Sequence, residues 1–173
     1  MNRRLTLQAV LAAAFASPLA DAFGSNVLET STFEFTLPDG WERNLDTDPV
    51  SARGPYGELL QISSSRIRGP GGASRELQEI RKEVEAVGVR TLRLAESEPG
   101  LIVETPISRA MLDNGIVLNE VVYRANDSGW KIAQFSVIGP RTSILVSLRV
   151  PSEKKSSIGL IRGAITRIRW AAL

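Results

Sequence analysis

From Thr32 to Leu37 apolar and polar residues alternate, with Phe33, Phe35 and Leu37 on one side and Glu34 and Thr36 on the other. A period of two predicts a half-buried strand. Pro38-Asp39-Gly40 then turns the chain and presents Trp41. A short segment over Val50–Arg53 and a longer one over Tyr56–Ser63 flank a turn at Gly54-Pro55. The period then lengthens. Leu77, Ile80, Val84 and Val87 fall on one helical stripe, with Glu79, Lys82, Glu83 and Glu85 on the other faces. Ser74 is the expected N-cap and Gly88 the expected stop. Alternation returns weakly over Thr91–Leu94 and clearly over Leu101–Met111, where Pro106 predicts an edge strand or a bulge. Asp113-Asn114-Gly115 is a hairpin signal, because Asn-Gly accepts the positive φ of a tight turn. Ile116–Arg124, Trp130–Ile138 and Thr142–Val150 follow as strands, separated by Asp127-Ser128-Gly129 and Gly139-Pro140. Pro151-Ser152 opens a last helix whose apolar face is Ile158, Ile161, Ile165 and Ile168. Glu153 is expected at its positive end, and Arg162, Arg167 and Arg169 toward its negative end.

Strands and helices do not alternate strictly, so a doubly wound parallel sheet is not expected. The pattern predicts an α+β fold: an antiparallel sheet, built around a three- or four-stranded meander, covered by two amphipathic helices.

Residues 1–22 read differently. Arg3 and Arg4 precede an apolar run from Leu5 to Phe15, Ser17-Pro18 breaks it, and Ala20-Asp21-Ala22 supplies small residues before Phe23. This is the layout of a cleavable secretory signal, with the cut expected after Ala22. The run is too short and too interrupted for a membrane anchor. Residues 23–173 are then expected to form one domain in the periplasm.

Composition narrows the chemistry. Of 21 basic and 19 acidic residues, the leader holds Arg3, Arg4 and Asp21, which leaves a net charge of +1. So balanced a chain does not imply nucleic acid as a partner. It contains no Cys and no His. Disulfides, a lipid-modified cysteine, His-based general bases and His–zinc centres are therefore excluded by the alphabet.

The order of elements, opening on Phe33-Glu34-Phe35-Thr36-Leu37-Pro38-Asp39-Gly40-Trp41, resembles the PsbP/Mog-type α/β/α sandwich superfamily, which includes DcrB-like exported proteins. The resemblance implies assembly factors, secretion chaperones or binding proteins that are largely non-catalytic. It carries over no site residue: the lipid anchor of many DcrB-like proteins needs a cysteine, and the metal sites proposed in photosynthetic members use histidine.

Several constellations invite a chemical reading and return a plain one. Asn44-Leu45-Asp46-Thr47-Asp48 begins like a calcium loop, but Pro49-Val50 follows where further oxygen ligands are needed. Gly69-Pro70-Gly71-Gly72 precedes a helix without the Lys and hydroxyl residue of a phosphate loop. Glu96, Glu98 and Glu104 could pair as acid and base, and Lys154-Lys155-Ser156-Ser157 could hold a Ser-Lys dyad. Exposure at a strand end and on a helix surface is the expected state of both. Asn126-Asp127-Ser128 matches a glycosylation acceptor and reads as a turn. Trp41 and Trp130 follow turns, where an aromatic ring serves either the core or an interface. Together with Arg162, Arg167 and Arg169 they form the candidate interaction surface.

The expectation is an exported, non-catalytic protein without cofactor or metal, binding another envelope or secreted protein. A toxin-neutralising immunity protein and a small-ligand carrier are the alternatives. The sequence leaves the partner and the oligomeric state open.

Overall fold

The computed structural model describes residues 26–44, 49–66, 76–97, 100–111, 117–125, 129–139 and 141–171. The signal segment, most of the calcium-like stretch, the Gly-rich loop, Ser74, Glu98, the Asn-Gly turn and the Asn126-Asp127-Ser128 turn lie outside them.

Ten strands and two helices are described. The strands are β1 (Val27–Glu29), β2 (Phe33–Thr36), β3 (Glu42–Asn44), β4 (Val50–Arg53), β5 (Leu59–Arg66), β6 (Leu101–Met111), β7 (Val117–Ala125), β8 (Trp130–Ile138), β9 (Thr142–Pro151) and β10 (Arg169–Trp170). The helices are α1 (Leu77–Ser97) and α2 (Ser156–Ile165). Seven strands form one antiparallel sheet in the order β3-β4-β5-β9-β8-β7-β6, and a small sheet has the order β1-β2-β10. The meander β6 to β9 is the part foreseen; β5 extends it by pairing with β9 over eight residues.

Alternation assigns the two faces. On one face Ala52, Leu60, Ile62, Ala133, Phe135, Val137, Ile144, Val146, Leu148 and Val150 meet Phe33, Phe35, Ile158, Ile161 and Ile165 in a single core. On the other, Ile138 packs with Ile80 and Val84 of α1, which lies over β6, β7 and β8. Neighbouring residues Val137 and Ile138 thus serve opposite layers, as the pleat requires. The chain is α+β and layered, but α2 shares its face of the sheet with the three-stranded sheet.

Three expectations need correction, and a fourth is met. Helix α1 does not stop at Gly88 but runs on to Ser97, so Thr91–Leu94 is helical. A glycine inside a helix costs about 1 kcal/mol relative to alanine, and packing of the apolar stripe against three strands outweighs that. The chain turns just beyond, where Gly100 takes a φ of 89°. The last helix is also shorter than expected. It spans Ser156–Ile165, so Glu153 precedes it and there is no acidic residue in its first turn. Arg169 belongs to β10, whose pairing with β2 closes the small sheet. Trp170 lies against Gly139, where a Cβ would come within 2.8 Å of its ring. Finally, Pro106 sits on an edge strand whose register shifts between Val103 and Ser108, so the edge and the bulge occur together.

Candidate functional site

Two surfaces could carry function. The first is the half of the sheet that α1 leaves bare. Strand registers put Arg53, Leu59 and Arg149 in one cross-strand row, and Ser51, Gln61 and Ser147 in the next. Ser63 faces Leu145 and Ser65 faces Ser143 beyond them. Gln61, Ser63, Arg149 and Leu145 are exposed, Leu145 to 43%. On β4, β5 and β9 this face holds no lysine and no acid. At one end Arg149 stacks on Trp130, 4.6 Å from guanidinium carbon to ring centroid. A stacked guanidinium keeps its donors available while its plane is covered.

The second is a polar cleft of about 300 Å³ between α2 and the β6–β7 edge, lined by Glu104, Thr105, Val122, Lys131, Lys155 and Arg162 among others. Lys131, on β8, points into the layer below α2 and its ammonium bonds Glu104. Glu104 also lies 3.5 Å from Arg124. Arg162 donates from Nε at 2.7 Å and Nη2 at 2.5 Å to the two oxygens of Glu120. That fork-to-fork pairing has the geometry of the strongest charge-assisted bonds. It raises the affinity of Arg162 for its proton.

The hydrogen bond from Lys131 holds the Glu104 carboxyl below the usual glutamate range, with the charges of Lys131, Lys155 and Arg124 adding to it. The folded state therefore binds this proton more weakly than the unfolded chain. The stability so gained is complete above about pH 4.3, the ordinary glutamate value, and is lost as pH falls through the lowered one. Urea titrations across pH 3–7 are expected to show wild type above Glu104→Gln at neutral pH, with the gap closing on acidification.

Between these surfaces lies a buried carboxylate. Glu58 is 1% exposed; it accepts a hydrogen bond from Ser157 Oγ at 2.6 Å and another from the Tyr56 N–H at 2.8 Å. Gly54 must be glycine for this, since a Cβ there would lie 2.5 Å from a Glu58 oxygen and 2.9 Å from the Trp41 ring. The carboxylate ties the β4–β5 turn to the first turn of α2, where a negative charge is favoured.

These contacts bear on the chemistries the sequence suggested. Ser157 is engaged with Glu58, and Lys154 lies over the Tyr56 ring at 3.9 Å. Ser157 and Lys154 therefore do not form a Ser-Lys dyad. Glu96 is exposed at the end of α1 while Glu104 is held between cations, so these two do not make an acid–base pair. Among the described residues no group of three or more acidic side chains could hold a metal ion.

The candidate interaction residues are not brought together. Trp41 is in the core at 5% exposure. Trp130 borders the bare face, Arg162 belongs to the cleft, and Arg167 is exposed in the turn after α2. Arg169 projects from β10, 3.9 Å from Glu34. Sequence reading missed Arg149, Lys131, Glu120 and Glu58. Alternation along Thr142–Val150 could have given Arg149, since it shares the polar parity of Leu145 and Ser147.

The architecture defines a class: a layered α+β protein with a PsbP-like fold. No protein-family model and no curated protein matches the sequence. Among solved structures, the chain is similar to the solution structure of cyanobacterial PsbP (CyanoP) from Synechocystis, with a TM-score of 0.52 and 14% identity over 80% of this chain and 86% of that one. A crystal structure from Bacteroides thetaiotaomicron aligns with a TM-score of 0.43 and 13% identity, over 81% of this chain and 45% of that one.

Proposed function

We propose that the chain is an exported, non-catalytic, assembly-type protein of the bacterial envelope, acting through protein contacts at the bare half of its sheet. The observation that carries this reading is the composition of that face. Lysine, glutamate and serine are depleted at interfaces, whereas Trp and Arg are enriched and dominate the binding energy. In a chain with 23% charged residues, this face keeps its charge to Arg149, stacked on Trp130, and to Arg53 opposite Glu42 at the β3 edge. The stacked pair with exposed Leu145 is the part suited to contact.

Three features support the non-catalytic part. The chain offers no His or Cys, the Ser157 hydroxyl is committed to a buried carboxylate, and Glu104 and Glu120 are committed to cations. The cleft beside α2 is open and polar, so that cleft does not suit an apolar ligand. No helix among the described residues is long and apolar enough to cross a membrane.

Site-specific photocrosslinking in the producing cell tests the proposal. A benzophenone side chain at Leu145 or Gln61 is expected to capture one envelope protein, and the same probe at Lys82 on the outer face of α1 is expected to capture none. Arg149→Glu is expected to abolish capture, and the captured chain should begin at Phe23. Equal crosslinking from both faces, or none from Leu145, would sink the contact surface; a product that still begins at Met1 would sink export.

A further inference from the structure

The ion pairs of the cleft beside α2 do not balance. Four cations, Lys131, Arg124, Arg162 and Lys155, surround two carboxylates, Glu104 and Glu120. Glu104 serves both Lys131 and Arg124, and Glu120 is occupied by Arg162. Lys155 stands at the cleft's rim on the N-cap of α2 and has no ion pair among the described residues. It is close enough to Glu104 to act on its charge, so the excess is local to the cleft.

We infer that this cleft is a binding site for a carboxylate carried on an acidic peptide segment, such as a glutamate side chain of a second protein. Lys155 and the Ser156 hydroxyl are the groups left to meet an incoming anion. Val122 and Ile158, on the same lining, offer apolar atoms to the methylenes between a glutamate's backbone and its carboxylate. The volume, about 300 Å³, is at the lower limit for small-ligand pockets and suits one or two side chains. A phosphate dianion is suited less, because Arg162 already spends two donors on Glu120 and Glu104 would repel the second charge. This surface is separate from the bare sheet face, and neither assignment rests on the other.

The test uses the full exported chain and a capped tetraglutamate peptide, followed by backbone amide NMR shifts and calorimetry at low salt. Tetraglutamate is expected to move the amides of Thr105, Ser156 and Gly159 and to bind at least tenfold more tightly than capped tetraglutamine. Lys155→Glu is expected to weaken binding at least fivefold while leaving the melting temperature near that of wild type. Lys82→Glu, the same charge change on α1, is expected to leave binding unchanged. The inference fails if tetraglutamate moves amides elsewhere, or if Lys155→Glu and Lys82→Glu bind alike. It also fails, as an assignment to peptide, if free glutarate or inorganic phosphate binds as tightly as tetraglutamate.

Discussion

Phe35→Ala is expected to destabilise the domain by about 3–5 kcal/mol, the range for removing a fully buried aromatic ring. At this chain length each kcal/mol shifts the melting temperature by roughly 2–4 °C, so a fall of about 10 °C is anticipated in thermal melts. Phe35 has no exposed surface and belongs to the core that the large sheet shares with α2. It sits on the central strand of the small sheet, between β1 and β10. The strand is four residues long and its neighbours have three and two. So small a sheet has little stability of its own, and the aromatic side chains of β2 anchor it. A loss under 1 kcal/mol would show that the three-stranded layer is an appendage and not a wall of the core.

The second large effect is electrostatic. Arg162→Ala is expected to cost about 2–3 kcal/mol, somewhat below the range for breaking a fully buried pair. Glu120 is buried, with its side chain 4% exposed, whereas that of Arg162 is 48% exposed. The arginine can recover hydration when the pair is broken, but the glutamate cannot. The asymmetry makes a specific prediction for urea titrations at neutral pH. Adding Glu120→Gln to Arg162→Ala should restore part of the loss, because a neutral amide is cheaper to leave buried than a carboxylate. Additive losses in the double variant would mean that Glu120 finds another cation or reaches water.

Local pattern carried much of the fold. Alternation over Phe33–Leu37 and Thr142–Val150 was enough to place those strands and name their buried sides, because the side-chain period of two puts alternate residues on one face. Trp130–Ile138 was placed as a strand, but that both faces of its second half are buried was not legible. The Ile158, Ile161, Ile165 stripe placed α2 in the same way. Gly88 and Arg169 misled for a common reason. A local breaker or a charge complementing a helix end is worth about 1 kcal/mol or less, and the sheet beneath α1 and the pairing of β10 with β2 each outweigh that.

The candidate site was legible only in fragments. Trp130 was visible from its place after a turn, but its partner Arg149 comes from another strand. Lys131, Glu104 and Glu120 have no short-range signature. Their pairing depends on which strands lie side by side, and on α2 crossing that end of the sheet. Glu58 and Ser157 are 99 positions apart, beyond the reach of any local period.

By itself, then, the sequence determined the class of fold, the two buried periodicities and, through the absence of His and Cys, the chemistries closed to this protein. Tertiary structure decided which half of the sheet stays bare, which charges meet, and that Trp41 goes inward while Trp130 stays at a surface. The division is physical. Burial along one element follows from side-chain spacing, whereas a surface is assembled from residues that only strand order and helix placement bring together.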